Sequence, residues 1–534
     1  MPRAAVSVGR SERAPFMTND QSNPGVNRWV PAVAVMLSAV MEVLDTSVVN
    51  VSLPHIAGNL SATVDEATWV LTSYIVANAI ILPISGWLAS YFGRKRLLLF
   101  VVAGFTISSL LCGIAPTLGS LIFFRVLQGT TGGGLQPLSQ AVLLETFPVE
   151  ERGKAMAFWG LGIVTAPILG PTIGGWLTEN YSWRWVFYIN LPVGLLSLAM
   201  IKLYIQDPPY LKRVSRRIDG WGLGLLVLGM ASFQIMLDQG QELDWFSSSR
   251  ILALAVVAAV GLTAFVVREF LTPDPIVDFR LLRYRTYAAG VFVVTILGFV
   301  LYGSLVLLPL FMQTLLGFPA STAGLWSAPR GIGTLLFMPL TGIMLGRRWD
   351  ARLLLAAGLV VASVAFYIYA GLTLNIGPVD LVWPQLVQGV GLALIFVPLS
   401  TITMDPIPVQ SMGFATSIFS LMRNIGSSVG ISFVVTELAR RTQFHYDRLG
   451  QSVTAFSPAV QQELARVGTA IGRPLQATSP MGLELINGQV IRQASTMSFL
   501  DLFFALGLLF IAVTPIVWFM RRPRQGPREG AVAD

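Results

Sequence analysis

Two carboxylates stand inside the first long apolar stretch of the chain. Residues 35–54 read VMLSAVMEVLDTSVVNVSLP and carry Glu42 and Asp45 near the middle. The stretch is apolar enough to lie in a bilayer, where a charged side chain is costly and usually faces a partner or a water-filled path. A carboxylate at that depth can bind and release a proton, so proton transfer is the first chemistry that the sequence indicates.

Helical spacing groups these carboxylates with other polar side chains. At 100° per residue, a stripe about 80° wide holds Ser38, Glu42, Asp45, Val49 and Ser52. In the fourth apolar stretch, one helix face holds Arg125, Gln128, Gly132, Gln136 and Ser139. If the first helix runs outward and the fourth inward, Asp45 lies about 10 Å and Arg125 about 9 Å from the same membrane surface.

Opposite charges at matching depth predict a contact between Asp45 and Arg125. If their separation changes as the protein changes conformation, the proton affinity of Asp45 changes with it. The alternative is a static ion pair that joins the two helices. Glu42 also allows two interpretations, because it could take part in proton coupling or cationic-substrate binding, or form a solvated cavity wall.

The composition excludes an ordinary soluble protein. Of 534 residues, 54% are hydrophobic and 12% are charged, whereas soluble domains carry roughly 25% charged residues. Mean hydropathy is +0.67. One cysteine (Cys112) and two histidines (His55 and His445) indicate no disulfide framework, no metal site and no catalytic constellation. We attribute the net charge of +8 to cytoplasmic loops and expect no nucleic-acid partner.

Apolar runs of about 20 residues predict an all-α integral membrane protein with fourteen transmembrane helices. They lie near residues 29–52, 68–88, 97–115, 119–144, 156–178, 184–205, 220–238, 251–268, 287–313, 322–345, 353–372, 381–404, 411–437 and 497–520. Basic clusters recur in alternate loops, for example GRKR at 93–96, LKRVSRR at 211–217 and RRPR at 521–524. Because such clusters mark cytoplasmic loops, both termini are predicted to be cytoplasmic.

An internal repeat divides the chain. RVLQG at 125–129 followed by PLSQ at 137–140 resembles QLVQG at 385–389 followed by PLST at 398–401. Such repeats, with a substrate site between them, are typical of secondary transporters. The predicted order is a disordered cytoplasmic tail (1–28), a six-helix bundle (29–205), a linker with two additional helices (206–286), a second six-helix bundle (287–520) and a cytoplasmic tail (521–534).

Several motifs resemble those of the major facilitator superfamily. They are LDTSVVNVSLPHIAGNL from residue 44, GWLASYFGRKRLLL from 86, RVLQGTTGGGLQPLSQ from 125 and GIVTAPILGPTIGGWL from 162. The similarity runs from about residue 29 to 520 and fits the fourteen-span drug:proton antiporter branch. LDQGQELDWFSS at 237–248 and DPIVDF at 274–279 narrow the resemblance to the EmrB type within that branch.

The resemblance implies a proton-driven exporter of hydrophobic or amphipathic drugs in the bacterial inner membrane. It implies the proton gradient as the energy source and no cofactor. It also implies a periplasmic adaptor protein as partner and, through it, an outer-membrane channel. An exporter of one endogenous metabolite would have the same fold and stays open as an alternative, while a membrane-embedded enzyme fits less well.

Two motifs are candidates for conformational control. One comprises Gly86, Gly93, Arg94, Lys95 and Arg96. Ser90 stands where the superfamily motif usually has an acidic residue, so a charge-pair latch built on that position lacks its acid. The other comprises Pro167, Gly170, Pro171 and Gly174, which weaken the backbone hydrogen bonds and allow close packing. It fits either a bend that governs the direction of transport or packing alone.

The substrate cavity has three polar candidates, Gln128, Gln136 and Arg423. Arg330 and Arg423 are lone cations in the tenth and thirteenth predicted spans. Each either faces a cavity or reaches the membrane surface or backbone carbonyls.

The one long outside segment is 438–496. It contains SPAVQQELARVGTAIG at 457–472, whose spacing predicts a helix with one apolar face. Such a face outside the membrane implies either an adaptor partner or a cap folded over the outer mouth.

Overall fold

The computed structural model describes residues 27–207, 219–374, 376–454, 457–471, 476 and 479–522. Within these ranges the regular structure is helical. The α-helices are α1 (Trp29–Asn59), α2 (Val64–Phe92), α3 (Arg94–Gly113), α4 (Leu118–Gly132), α5 (Leu135–Thr146), α6 (Arg152–Asn180), α7 (Trp185–Tyr188), α8 (Asn190–Tyr204), α9 (Gly220–Gln239), α10 (Ser249–Leu271), α11 (Arg285–Thr314), α12 (Ala320–Trp326), α13 (Ala328–Gly346), α14 (Ala351–Ala370), α15 (Val382–Met404), α16 (Met412–Ser452), α17 (Pro458–Ile471) and α18 (Pro480–Val513). The basic segment 211–217 and nearly all of the two predicted tails lie outside the described residues.

Most of these helices are long and apolar enough to cross a membrane. Twelve pass that test in the described part of the chain, or thirteen if the bent pair Arg152–Pro167 and Leu169–Asn180 is one span. The all-helical, multi-span fold that the sequence predicts is therefore confirmed. The predicted fourth span, 119–144, coincides with α4 and α5, which meet at Gly133 and Gly134.

Threonine caps begin the two helices that surround the predicted charge pair. The Thr63 hydroxyl accepts a hydrogen bond from the Glu66 backbone N–H at 3.2 Å, at the start of α2. At the start of α4, the Thr117 hydroxyl accepts from the Ser120 N–H at 3.2 Å. Each cap pairs an N–H group that the helix itself leaves free. Both helices therefore start at defined residues.

Helix α1 lies at the centre of the N-terminal helices. It packs on α2, α5, α6 and α8, while α4 packs on α2 and α3. The residues of α1 at positions 38, 42, 45, 49 and 52 are all buried. The polar stripe of α1 therefore faces other helices, and polar side chains of α2, α4 and α8 can contact it.

The later helices form a second group around α11 and α15. Helix α11 packs on α15, α16 and α18, and α15 packs on α13 and α14. This group meets the first where α16 packs on α2 and α5 and where α13 packs on α6. These two sets of contacts, α16 with α2 and α5 and α13 with α6, border the space between the groups.

Helix α9 connects both groups from the side. Together with α10 it forms a pair, and it also packs on α2 and α16. Thr72 of α2 donates a hydrogen bond to Asp238 of α9. Ser428 of α16 donates to Gln234 at 3.0 Å, and Ser432 donates to the Leu237 carbonyl at 3.0 Å. Of the two predicted additional helices, α9 is thus hydrogen-bonded to helices of both groups.

The long outside segment is mostly helical where it is described. Helix α16 continues to Ser452, well past the predicted span end at 437, and α18 begins at Pro480 rather than near 497. Polar pairs support the extended helices, since Arg441 bonds to Asp501 at 2.8 Å and the Tyr446 hydroxyl donates to Asn487 at 2.8 Å. We call the described residues within 438–496 the outer hairpin.

Candidate functional site

Asp45 is the centre of a buried polar cluster. Its Oδ2 accepts a hydrogen bond from Arg125 Nη1 at 2.6 Å, and its Oδ1 accepts from Gln128 Nε2 at 2.9 Å and from Asn190 Nδ2 at 2.7 Å. The side chains of Asp45 and Arg125 have no exposed surface. Because all three partners donate, the arrangement suits an ionised carboxylate, which only accepts.

Arg125 is held on its other sides as well. Its Nε donates to the Val70 carbonyl at 3.0 Å, and its Nη1 also donates to Gln128 Oε1 at 2.7 Å. The guanidinium carbon lies 4.0 Å from the centre of the Tyr74 ring, within the range of a cation–π interaction. Helices α1, α2, α4 and α8 all contribute to the cluster, so a shift of α1 against the others would change the surroundings of Asp45.

Sequence reasoning did not single out Asn190 or Tyr74. Both are uncharged residues in apolar surroundings, and the signal that Asn190 offered was a lone amide inside the predicted span 184–205. The structure gives it two partners, since Nδ2 also donates to Ser109 Oγ at 2.9 Å. Buried amides of this kind orient the charged group that they contact.

Glu42 belongs to a second polar cluster, closer to the later helices. Asn78 Nδ2 donates to Glu42 Oε1 at 2.8 Å. Gln136 of α5 also lies near Glu42. The Oε1 of the same glutamine accepts a hydrogen bond from Arg423 of α16. Gln136 and Arg423 therefore form a polar bridge between the two groups of helices.

A small cavity lies between the two groups of helices beside this bridge. Its volume is about 30 Å³, and its walls are formed by Ile163, Val164, Pro167, Leu301, Tyr302, Leu305, Leu392 and Phe396 together with Arg330 and Arg423. Of the predicted cavity residues, Arg423 lines the cavity and Gln136 contacts Arg423. Gln128 lies in the Asp45 cluster and is absent from the cavity wall.

The glycine- and arginine-rich motif lies where α2 and α16 meet, at the end predicted to be cytoplasmic. A Cβ on Gly86 would lie 2.6 Å from the Gly413 carbonyl oxygen, so the two backbones touch. Arg94 forms a buried ion pair with Glu145 at the end of α5. Glu145 thus provides the acidic partner that the motif lacks at Ser90, and no feature of the sequence distinguished Glu145 in advance.

The other residues of this motif fix the turn between α2 and α3. Gly93 has a φ of 86°, a left-handed conformation that glycine adopts without strain. The Lys95 N–H donates to Asp207 Oδ1 at 2.8 Å, and Lys95 Nζ donates to the Lys202 carbonyl at 2.7 Å. Arg96 is exposed. These bonds tie the turn to the end of α8.

We expect Gly86→Val to prevent the closure of α2 against α16. Overpacking a tight contact costs about 1–3 kcal/mol, which corresponds to a shift of roughly fivefold to 150-fold toward forms in which this end is open. The measurement is transport in inverted vesicles, together with labelling of cysteines introduced near this end. The matched control is Gly224→Val, because a Cβ on Gly224 meets nothing within 4 Å. Transport by Gly86→Val at the wild-type rate would show that the contact between α2 and α16 at Gly86 does not form during the transport cycle.

The proline- and glycine-containing motif of α6 packs directly on α1. The Ser47 hydroxyl donates to the Pro167 carbonyl at 3.1 Å, a group that a proline four residues on leaves without its helical partner. A Cβ on Gly174 would lie 2.9 Å from the Val48 carbonyl oxygen, and one on Gly170 would collide with Ser47. Helix α6 bends by 42° in this region. The motif thus combines close packing with a bend, and the α1 residues that it contacts lie two and three positions after Asp45.

Sequence comparison identifies the family. The family model described as Major Facilitator Superfamily matches residues 35–431. The chain is 38% identical to the fatty acid resistance protein FarB of Neisseria gonorrhoeae, over 93% of this chain and 96% of that protein. It is 37% identical to the multidrug export protein EmrB of Escherichia coli K12, again over 93% of this chain and 96% of that protein.

Solved structures show the same fold at low identity. The human organic anion transporter MFSD10 matches with a TM-score of 0.60 and 12% identity, over 92% of this chain and 100% of that chain. The proton:xylose symporter XylE matches with a TM-score of 0.55 and 14% identity, over 92% and 95% of the two chains. Fold and sequence together show that this multi-pass protein of the bacterial inner membrane belongs to the major facilitator superfamily, as an EmrB-like transporter.

Proposed function

We propose that the chain is a proton-driven antiporter that exports hydrophobic or amphipathic compounds from the cytoplasm. The observation that carries the proposal is the Asp45 cluster, in which a carboxylate without exposed surface is bonded to donors from two other helices. The related protein EmrB of Escherichia coli K12 is named a multidrug export protein. The apolar walls of the cavity between the two groups of helices, which we call the central cavity, suit such substrates.

The coupling of proton movement to substrate movement would follow from the partners of Asp45. In the conformation described here the carboxylate is paired with Arg125. When the helices rearrange and the pair separates, a buried carboxylate without its partner favours the protonated form. Proton binding from outside and release inside would then accompany opposite steps of the cycle. One proton moving through 100 mV yields about 2.3 kcal/mol, enough for a substrate gradient of roughly fiftyfold.

The proposal includes fourteen spans with both termini in the cytoplasm. Helices α4 and α5 would form one span, because Gly133 and Gly134 keep right-handed helical angles and the Gly133 N–H still bonds to the Gly129 carbonyl at 3.0 Å. With α6 also taken as one bent span, the number of spans would be even and both ends of the chain would lie on one side of the membrane. The division into bundles at 29–205 and 287–520, with a linker between them, belongs to the same proposal.

The test is active transport in inverted membrane vesicles. Vesicles that contain the full chain are energised and offered a panel of lipophilic drugs and small metabolites, with and without an uncoupler. We expect uptake of several chemically unrelated drugs, and we expect the uncoupler to abolish it. Uptake of a single metabolite would favour the alternative exporter, and uptake unaffected by the uncoupler would contradict proton drive.

We also propose that the outer hairpin binds a periplasmic adaptor protein, which connects to an outer-membrane channel. The extended part of α16 is about 20 Å long at 1.5 Å per residue, so the hairpin projects well beyond the membrane. Phe444, Met481 and Leu483 are 58%, 59% and 57% exposed on it. In α17, by contrast, Val460 and Leu464 are buried and Glu463 accepts a hydrogen bond from Gln489 of α18. This part of the predicted apolar face is therefore covered by the chain itself.

Replacing residues 438–496 with a short flexible linker is expected to leave the protein in the membrane and able to bind substrate. It should no longer co-purify with the adaptor or confer drug resistance together with it, because the projecting apolar side chains are gone. A milder variant, Phe444→Ser with Met481→Ser and Leu483→Ser, should reduce adaptor recovery in the same direction.

The matched control for the hairpin is Arg448→Ala with Glu484→Ala, two exposed charged residues. It should leave adaptor recovery unchanged. Full adaptor recovery with the linker variant would contradict the docking role and favour a cap over the outer mouth.

A further inference from the structure

Two arginines from the later helices face the central cavity. Arg330 of α13 is 3% exposed and Arg423 of α16 is 6% exposed, and both belong to the cavity wall. The remaining wall residues are apolar or aromatic, and no Asp or Glu is among them. The cavity therefore carries two positive charges in apolar surroundings.

Neither guanidinium is fully paired. Among the described residues, the Nη1 atoms of Arg330 and Arg423 have no hydrogen-bond partner. Arg423 donates to Gln136, whose oxygen is neutral, and the acid that attracts it is Glu42, whose Oε1 accepts a hydrogen bond from Asn78. Burying a charge that lacks partners is unfavourable. An anion placed between the two arginines would offset that cost.

We propose that this cavity binds amphipathic anions. A carboxylate or sulfonate would accept hydrogen bonds from Arg330 and Arg423, a geometry in which arginine binds such groups strongly. The apolar body would lie against Phe396, Leu301 and Leu392, which belong to the same wall. The proposal rests on the proposed export function and names the charge of the substrates.

Binding of an anion would also weaken the contact between the two groups of helices. The cavity volume of about 30 Å³ holds little more than one water molecule, whereas ligand sites enclose about 300–1,000 Å³. The body of the substrate therefore needs the two groups to separate. An anion that takes the hydrogen bonds of Arg423 replaces its contact with Gln136, which is one of the contacts that join the groups.

The experiment compares two ligands of one shape and opposite charge. The full chain in lipid nanodiscs is titrated with radiolabelled 2-naphthoate and with radiolabelled 2-naphthylmethylammonium. We expect the anion to bind at least about tenfold more tightly than the cation, since one charge-assisted hydrogen bond contributes that much. Arg330→Gln and Arg423→Gln should each weaken naphthoate binding about tenfold, and Arg330→Lys and Arg423→Lys should recover part of it.

Arg441→Gln, outside the cavity, is the matched control and should bind naphthoate as the wild type does. Equal or tighter binding of the cation by the wild-type protein would overturn the proposal, even if the glutamine variants failed to fold. So would unchanged naphthoate binding in both glutamine variants. If drugs are exported with a proton gradient but the anion is not preferred, only this inference fails. If the anion binds but nothing is exported, the export function fails instead.

Discussion

Replacing Arg125 with alanine is expected to abolish transport and to lower the stability of the protein. The change leaves the carboxylate of Asp45 buried with only two amide donors, Gln128 and Asn190. Removing one partner of a buried ion pair costs about 3–5 kcal/mol. It also removes the group whose approach and departure would change the proton affinity of Asp45.

Arg125→Lys is expected to restore part of the transport. Lysine keeps the positive charge, but it lacks the planar fork in which Nε bonds to the Val70 carbonyl while Nη1 bonds to Asp45 and Gln128. Transport in inverted vesicles and the thermal unfolding midpoint measure the two effects. Arg250→Ala, at an exposed position, is the matched control and should behave as wild type.

The double variant Asp45→Asn with Arg125→Gln separates a static brace from a proton-coupling pair. Removing both charges relieves the buried unpaired carboxylate, so the unfolding midpoint should recover from that of Arg125→Ala. If the pair only joins α1 to α4, transport should recover as well. We expect stability to recover without proton-driven transport. Full transport by Arg125→Ala would exclude both roles.

Asp45→Asn is expected to abolish transport driven by a pH gradient while substrate binding is retained. The amide has the size of the carboxylate but cannot take up or release a proton. It also leaves the buried guanidinium of Arg125 without its charged partner, so a loss of stability of about 3–5 kcal/mol should accompany it, as for Arg125→Ala. Binding of radiolabelled substrate and uptake after an imposed pH jump measure the two quantities.

Asp45→Glu is the conservative variant to be compared with Asp45→Asn. It keeps a titratable carboxylate but moves it by one methylene, so weak transport that still depends on pH is expected. Pumping by Asp45→Asn at the wild-type rate, with the wild-type dependence on pH, would remove Asp45 from the coupling mechanism.

The meeting of Asp45 and Arg125 could be predicted from the sequence because both residues are rare in apolar surroundings. Charge, helical face and depth were enough to place them together, without knowledge of how the helices pack. The amides of Asn190 and Asn78 could not be found in that way. Uncharged polar residues are common in membrane helices, and only the packing of α8 and α2 on α1 gives them a role.

Longer-range features were also beyond sequence reasoning. Ser90 correctly indicated that the expected acid was missing, but only the fold brings Glu145 from the end of α5 to Arg94. The predicted span 411–437 ended where polar residues begin. The structure continues α16 past that point because Arg441 and His445 bond to Asp501 of α18. Hydrogen bonds to a side chain of α18 thus stabilise this part of α16, whose own residues are no longer apolar.

The most direct test of the central claim is proton release on substrate binding. Purified protein in weakly buffered solution is mixed with a substrate identified in the vesicle assay, and a pH indicator reports protons released. If proton and substrate alternate at Asp45, wild-type protein should release protons when the substrate binds, and Asp45→Asn should bind the same substrate and release none. Equal proton release by wild type and Asp45→Asn would contradict the account.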